Sequence, residues 1–277
     1  MNIMMGLCQE KPIPKWPNTL KNQHYQISSI EVNIPESHPD IVFQNNHSNH
    51  IIFIDCKSKT LKREQIKKYD EIRKNPKPAI SSGKISVVHS DHLNIDPALC
   101  SFSDLSNENL IVEFDMVFLR MLESGKPFSE IREIQLKRGK FRYLKLNEAF
   151  PIDTSTSVPP YYLYPFDEHD IEIFTIEILK HLQKYGLFGK RFTVDDILER
   201  SHKMWKFIDD KSTFRKKAHS ILVELQNKGL RKYLRKEEEL WHVDLKLDGK
   251  SHQAFQKKCI QIERQLSRKS YQDILAV

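Results

Sequence analysis

Residues 39–57, PDIVFQNNHSNHIIFIDCK, are the stretch from which the fold of this 277-residue chain can best be predicted. A polar run at 45–49 separates two short segments rich in β-branched and aromatic residues, which predicts a hairpin. The second segment, residues 50–58, contains four consecutive large apolar residues, as a strand buried on both faces does. We expect it to be the central strand of a sheet.

The segments around this hairpin predict an α/β unit. Residues 25–34 are typical of a strand, and residues 61–74 place apolar side chains at helical spacing in a charged run. Residues 84–89 (KISVVH) predict a further strand. The order strand, strand, strand, helix, strand leaves a final crossover long enough for parallel pairing.

Three polar residues lie where the hairpin brings the strand ends together. Asp40 begins the first hairpin strand, and Asp55 follows near the end of the second, with fourteen residues between them. Lys57 shares a face with Asp55, because side chains alternate along a strand. Two carboxylates can hold Mg²⁺ together with waters and a phosphate oxygen, and the ammonium can assist an attacking water. The alternative is an ordinary polar end of a buried strand.

The sequence Pro39-Asp40, followed by Asp55-Cys56-Lys57, resembles the PD-(D/E)xK motif of a nuclease superfamily. The chain also contains Gln65 and Tyr69, which match the Q-x-x-x-Y pattern of the RecB-like members on the helix after the catalytic strand. An i, i+4 pair lies on one helical face, so both side chains can contact substrate or groups that support the site. The resemblance covers about residues 25–90.

This resemblance implies a restriction-endonuclease-like mixed sheet and a centre that uses Mg²⁺ or Mn²⁺. Asp40 and Asp55 would bind the metal together with the backbone carbonyl of Cys56. Members of the superfamily usually have a helix before the first strand that supplies another acidic residue. Here a proline-broken segment precedes that strand; Glu31 and Glu36 are the candidate substitutes, and Glu31 is preferred. His47 and His50, at the hairpin, are expected to face solvent.

The chain divides into three predicted parts. Residues 1–22 carry three prolines and are expected to form an arm, 23–155 the nuclease-like domain, and 156–277 a second domain. In the first domain, residues 109–123 predict a helix and 131–146 a hairpin around Gly139. The Ser-, Thr- and Pro-rich run at 155–160 predicts a linker, and the aromatic run at 161–166 is expected to pack beside it.

The second domain is predicted to be a winged-helix-like module. Helices are expected at 167–185, from Val194 after a Thr193 cap, and at 213–228 after Ser212; strands follow at 231–244 and a closing helix at 252–275. Basic residues concentrate where this fold contacts nucleic acid, and the predicted binding residues are Arg215, Lys216, Lys217, Arg231, Lys232 and Arg235. A module that contacts only proteins is the alternative.

Composition is that of a folded protein whose partner can be a polyanion. The formal net charge is +7, and hydrophobic residues make up 39% of the chain. Four scattered cysteines form neither a CxxC pair nor a disulfide framework, and no apolar run is long enough for a membrane span or signal peptide. We expect a cytoplasmic protein without a membrane partner.

The function expected from the sequence is a metal-dependent DNA nuclease. The resemblance allows a role in prokaryotic antiviral defence or in a mobile element, with DNA and a protein partner (an ATPase, a motor or a complex subunit) or a homo-oligomer. One alternative is a non-catalytic DNA-binding or assembly subunit with a degenerate nuclease fold. Another is a winged-helix transcription regulator, which would need a dimer and a palindromic site.

Overall fold

The computed structural model describes residues 1–32, 38–57, 60–81, 93–123, 131–155, 170–188, 191–245 and 248–275. The chain forms two compact units. The first consists of residues 1–160 and 207–210, and the second of residues 161–206 and 211–277. The predicted strand at 84–89, the linker from 156 onward and the aromatic run at 161–166 lie outside the described residues.

The first unit contains short helices around a sheet. Its helices are α1 (Asn2–Gly6), α2 (Thr19–Asn22), α3 (Arg63–Lys74), α4 (Lys77–Ser81), α5 (Asn109–Glu113) and α6 (Leu144–Asn147). Its strands are β1 (Gln26–Ile30), β2 (Ile41–Asn45), β3 (His50–Cys56), β4 (Asn94–Ser101), β5 (Val117–Glu123), β6 (Ile131–Arg138) and β7 (Ile152–Asp153).

The seven strands form one mixed sheet in the order β1-β2-β3-β4-β5-β6-β7. β1, β2 and β3 are antiparallel neighbours, β3, β4 and β5 run parallel, and β6 and β7 continue antiparallel. The predicted hairpin and central strand are confirmed, and so is the mixed α/β class. All residues of β3 except Cys56 are buried, as expected for a strand covered on both faces.

Helix α3 covers one face of this sheet. Its charged residues are mostly exposed, whereas Ile66, Tyr69 and Ile72 are buried in a core cluster with Phe53 and Phe118. Burying a large apolar side chain stabilises the fold by about 1.5–3 kcal/mol. The amphipathic spacing in the sequence therefore predicted the element and its buried face correctly.

Two predictions for residues 93–146 are wrong. The predicted helix at 109–123 is a short helix followed by strand β5, because the chain turns at Asp115, whose φ is +48°. The predicted hairpin at 131–146 does not form, since β6 pairs with β5 and β7. Gly139 has a φ of +71° and lies so close to the chain that a Cβ would be 2.2 Å from the Met116 carbonyl oxygen. A close approach of two segments, rather than a hairpin tip, therefore requires this glycine.

The predicted N-terminal arm is instead part of the first unit. Residues 2–6 and 19–22 are helical, and Met4, Met5, Leu7 and Trp16 are at most 4% exposed. The prolines interrupt regular structure, as expected, but the apolar residues between them bury enough surface to pack the segment.

The second unit is mainly helical, with a small sheet. Its elements are α7 (Asp170–Phe188), β8 (Arg191–Phe192), α8 (Val194–Ser201), α9 (Ser212–Leu225), β9 (Leu234–Glu237), β10 (Leu240–Val243) and α10 (Gly249–Leu275). The three strands are antiparallel in the order β8-β10-β9. The predicted Thr193 cap is confirmed: its hydroxyl accepts the Asp196 amide, and the Asp196 carboxylate accepts the Thr193 amide. No helix in the described part of the chain is both long and apolar enough to cross a membrane.

Candidate functional site

The structure brings Asp40 and Asp55 to the same end of the β2–β3 hairpin. Ile41 pairs with Ile54, so the next residues outward, Asp40 and Asp55, are directly opposite each other. Opposite residues of an antiparallel pair project to the same face, with Cβ atoms roughly 5 Å apart. Asp40 Oδ2 also accepts the backbone N–H of Cys56 at 2.6 Å, which fixes its carboxylate beside the end of β3.

Asp55 receives hydrogen bonds on both carboxylate oxygens. Its Oδ1 lies 2.8 Å from the Lys57 ammonium nitrogen, and its Oδ2 accepts Gln65 Nε2 at 2.7 Å and the Tyr69 hydroxyl at 3.0 Å. Asp55 is only 4% exposed. Lys57, Gln65 and Tyr69, which two separate motifs singled out in the sequence, thus converge on one buried carboxylate.

Gln65 and Tyr69 lie one helical turn apart on α3 and both face the end of β3. Tyr69 is 1% exposed, so its hydroxyl supports Asp55 and is shielded from solvent. Gln65 is half-buried and makes the second contact to the same oxygen. The sequence allowed this pair either to contact substrate or to support the site. The observed hydrogen bonds favour the second role, in which Gln65 and Tyr69 hold the Asp55 carboxylate in place.

Burial raises the pKa of Asp55 to about 6, because an ionised carboxylate loses water at this position. The hydrogen bonds from Lys57 and Tyr69 oppose this change, whereas the neighbouring charge of Asp40 adds to it. Since the folded pKa lies above the usual value, ionisation of Asp55 destabilises the fold as pH rises through about 6. Above that pH the carboxylate is ready to bind a cation.

Replacing Tyr69 by Phe is expected to raise the Asp55 pKa further. The substitution removes a hydrogen bond that lowers this pKa and keeps the ring that packs in the core. The pH midpoint of Asp55 ionisation should therefore move above the wild-type midpoint, which can be measured by ¹³C NMR of the carboxylate across pH 5–8. Tyr233→Phe, a buried tyrosine of the second unit, is the control. A midpoint that stays with the control would contradict this role of Tyr69.

Two further predicted ligands, Cys56 and Glu31, lie beside the carboxylates. Burial raises the pKa of the Cys56 thiol, which favours the protonated thiol over the thiolate. Glu31 follows β1 in a left-handed conformation (φ +51°), and its backbone N–H donates to the Asp40 carbonyl oxygen at 2.9 Å. Glu31 is thus adjacent to Asp40 along the sheet edge.

The side chains fit a hard cation that keeps part of its water shell. Within the described ranges, no three His, Cys, Asp or Glu side chains group closely enough to hold a metal by themselves. Mg²⁺ is commonly bound by one or two carboxylates together with waters and phosphate oxygens. The facing pair Asp40 and Asp55 matches that donor set, and a closed site of three or four side chains is not required.

The predicted nucleic-acid-binding residues of the second unit differ in their surroundings. Arg215 donates from Nε and Nη2 to the Asp195 carboxylate, both at 2.7 Å, and Arg235 lies 3.4 Å from Asp244. Their charges are partly neutralised within the unit. The other four predicted residues are exposed or half-buried: Lys216, Lys217, Arg231 and Lys232. The described basic surface therefore depends more on these four than on Arg215.

A buried polar network on the opposite face of the sheet was missed by the sequence analysis. His50 was expected to face solvent but is 1% exposed. Its Nε2 lies 2.8 Å from Asp96 Oδ2, and its Nδ1 lies 2.5 Å from the Tyr25 hydroxyl. Asp96 also accepts the Arg142 backbone N–H at 2.6 Å. The sequence holds no signal for this network, because His50 and Asp96 are 46 residues apart.

Comparisons with known proteins match the two halves of the chain to two families. The model of the MJECL32 domain matches residues 1–164, and that of a domain of unknown function, DUF8601, matches residues 167–272. A curated relative is the "Uncharacterized protein MJECL32" of Methanocaldococcus jannaschii, 32% identical over 162 residues. The alignment covers 57% of this chain and 35% of that relative's length. No solved structure matches the chain.

Proposed function

We propose that this chain, which belongs to the MJECL32 domain family, is a metal-dependent nuclease that hydrolyses phosphodiester bonds in DNA. The observation that carries the proposal is the set of contacts around Asp55. Lys57, Gln65 and Tyr69 all donate to its carboxylate, and Asp40 faces it from the neighbouring strand. An isolated D-x-K triplet at a strand end would explain the lysine, but not the glutamine and tyrosine from the following helix.

The finer fold proposed for the first unit is a restriction-endonuclease-like core. Three antiparallel strands, a helix and, after α4, a strand parallel to the third occur in the order β1, β2, β3, α3 and β4. The candidate residues come from β3 and the residue after it, from the residue before β2 and from α3. This arrangement supports a PD-(D/E)xK centre, because the hairpin supplies the two carboxylates and the helix supplies their support.

Asp40, Asp55 and the Cys56 carbonyl would hold Mg²⁺ or Mn²⁺ in this centre. When bound, such an ion supplies an acidified water and neutralises charge on a phosphate. The Lys57 side chain is 19% exposed, and its ammonium projects from the same face as both carboxylates. From there it can orient a water by hydrogen bonding and stabilise the negative charge that develops on the phosphate oxygens.

The second unit is proposed to be a winged-helix-like DNA-binding module. The order α7, β8, α8, α9, β9, β10 and the three-stranded sheet support this fold. Exposed Lys216 on α9 and Arg231 before β9 would contact phosphates.

Replacing Lys216 and Arg231 together by Ala is expected to weaken DNA binding uniformly across sequences. Each lost phosphate contact should reduce the slope of log K against log salt by about 0.9, so the double variant should lose nearly 2. Fluorescence anisotropy over a salt series measures this slope. Arg215→Ala is the comparison, since Asp195 already neutralises part of the charge of that side chain, and its slope should change less. Equal slopes for wild type and the double variant would exclude these contacts.

A non-catalytic DNA-binding or assembly subunit is the second candidate function. It is favoured by one observation, namely that the Asp55 carboxylate is buried and already accepts hydrogen bonds from three side chains of the chain itself. Such a subunit would bind DNA in a salt-dependent manner without cutting it. In either case a protein partner or a second copy of the chain would complete the assembly.

Incubation of the purified chain with linear and with circular DNA distinguishes the two candidates. The nuclease proposal predicts cleavage in Mg²⁺ or Mn²⁺ that stops when the metal is chelated. Cutting of the circular substrate would identify an endonuclease, and cutting of the linear substrate alone an exonuclease. Salt-dependent binding to both substrates with no cleavage under any metal would support the binding subunit instead.

A further inference from the structure

A row of polar side chains extends from Lys57 across the ends of the parallel strands. Asp55 pairs with Leu99 on β4, and Leu99 pairs with Phe118 on β5. Beyond Asp55, the backbone N–H of Lys57 donates to the Cys100 carbonyl oxygen at 2.9 Å, so the pairing of β3 with β4 extends to Lys57. On the other side of β4, Ser101 pairs with Arg120 of β5. Lys57, Ser101 and Arg120 are therefore neighbours at the carboxyl ends of β3, β4 and β5.

These three residues project from the face that carries the candidate centre. Leu99 and Phe118 belong to the core cluster that contains Tyr69, so their side chains point toward α3. Side chains two residues further along a strand return to the same face. Arg120 thus lies on the face of Lys57 and Asp55, two strands away, with roughly 10 Å between the Cα atoms of Lys57 and Arg120.

Arg120 is positioned by a hydrogen bond to Asp104, which uses only one of its five N–H donors. Its Nη1 donates to Asp104 Oδ1 at 2.7 Å, and its side chain is 25% exposed. Its Nε is buried and has no hydrogen-bond partner among the described residues. An arginine carries five N–H donors, and leaving them unpaired away from water costs free energy. A small anion can instead reach the Nη groups at the exposed end of the side chain, where Asp104 uses only one donor.

A guanidinium at this position matches the geometry of a phosphate group. A guanidinium binds the oxygens of a phosphate with two parallel hydrogen bonds, a geometry that ammonium groups lack. A polynucleotide carries a phosphate at every nucleotide, so a strand that enters the centre brings a second phosphate with it. Ser101 is 1% exposed and serves as the buried spacer between the two cations.

We infer that Arg120, positioned by Asp104, is a second phosphate-binding residue of the candidate centre and holds a phosphate that neighbours the scissile one on the same strand. This inference rests on the proposed nuclease function and makes it more specific. The substrate is then a polynucleotide that occupies at least two phosphate positions, and a simple phosphomonoester binds far less well.

The test compares binding of a fluorescein-labelled single-stranded 12-mer in EDTA, where metal-dependent cleavage cannot occur. Arg120→Gln should raise the Kd about tenfold or more, because hydrogen bonds to a charged group commonly contribute this much to binding. Arg120→Lys keeps the positive charge but lacks the parallel donors of a guanidinium, so its Kd should lie between those of wild type and Arg120→Gln. The matched control is Arg132→Gln, an exposed arginine on the opposite face of β6, which should change the Kd less than about twofold.

Asp104→Asn provides a second variant that leaves Arg120 intact. It removes the negative charge next to the guanidinium, so the oligonucleotide should bind two- to fivefold more tightly (roughly 0.4–1 kcal/mol, as for a surface ion pair). An Arg120→Gln Kd equal to that of Arg132→Gln would overturn the inference. If Arg120→Gln fails to fold, an unchanged or raised Kd for Asp104→Asn would overturn it.

The same preparations separate this inference from the proposed function. Cleavage by wild type and by Arg120→Gln with equal KM values would remove the role of Arg120 and leave the nuclease standing. Binding that depends on Arg120, without cleavage by the wild type in Mg²⁺ or Mn²⁺, would remove the nuclease and leave the phosphate site standing.

Discussion

Lys57→Ala is expected to reduce Mg²⁺-dependent DNA cleavage by at least about 10²-fold. The reason is that the ammonium is the one cation hydrogen-bonded to Asp55 in the described centre, where it can stabilise developing negative charge on the phosphate. Removing a single preorganised donor of this kind commonly costs 10²–10³ in rate. Initial rates on a fluorescent DNA substrate at saturating Mg²⁺ measure the effect.

Lys250→Ala is the matched control for this substitution. Lys250 belongs to another D-x-K triplet, Asp248-Gly249-Lys250, and is exposed at the start of α10. Its replacement should leave the rate within about twofold of wild type, since isolated surface charges contribute little. A Lys57→Ala rate close to that of Lys250→Ala would show that cleavage, if present, takes place elsewhere.

Asp96→Ala is expected to destabilise the first unit by about 3–5 kcal/mol, the usual cost of removing one partner of a buried charged network. The substitution leaves His50 Nε2 and the Arg142 amide without their acceptor. The His50 side chain is buried, and the Arg142 amide is partly buried. Urea denaturation followed by far-UV circular dichroism measures the change in the free energy of unfolding.

The control for Asp96→Ala is Glu148→Ala, which removes an exposed carboxylate from the same unit. Its expected effect is within about 0.5 kcal/mol. Tyr25→Phe removes only one hydrogen bond from the network and should cost about 1 kcal/mol. If Asp96→Ala unfolds at the same urea concentration as the control, His50 and Asp96 do not form the buried pair.

Local patterns in the sequence predicted the hairpin, helix α3 and the Thr193 cap because each depends on residues within a few positions of one another. The pairing of Gln65 and Tyr69 with Asp55 was also within reach, since an i, i+4 pair on the helix after the strand can face that strand's end. Strand β4 was not predicted. It contains Asp96 and Pro97, which are uncommon inside strands, and its pairing with β3 supplies the stability that its own residues lack.

Contacts between distant segments explain the remaining differences. The run at 117–123 is short and mostly apolar, a pattern that fits a strand as well as a helix. It forms a strand because its backbone pairs with β4. The burial of His50 depends on Tyr25 and Asp96, and the row that places Arg120 near Lys57 depends on the register of three strands. None of these relations is encoded in the spacing of neighbouring residues.

Titration of Mn²⁺ into the wild type and into Asp55→Asn at pH 7.5 tests the central claim most directly, because it requires no knowledge of the substrate. Asp55 is ionised at this pH, which lies above its pKa of about 6. The account predicts one Mn²⁺ site in the wild type, a large loss of affinity in Asp55→Asn and a similar loss in Asp40→Asn. Equal Mn²⁺ binding by all three proteins, or none by the wild type, would contradict a metal centre at Asp40 and Asp55.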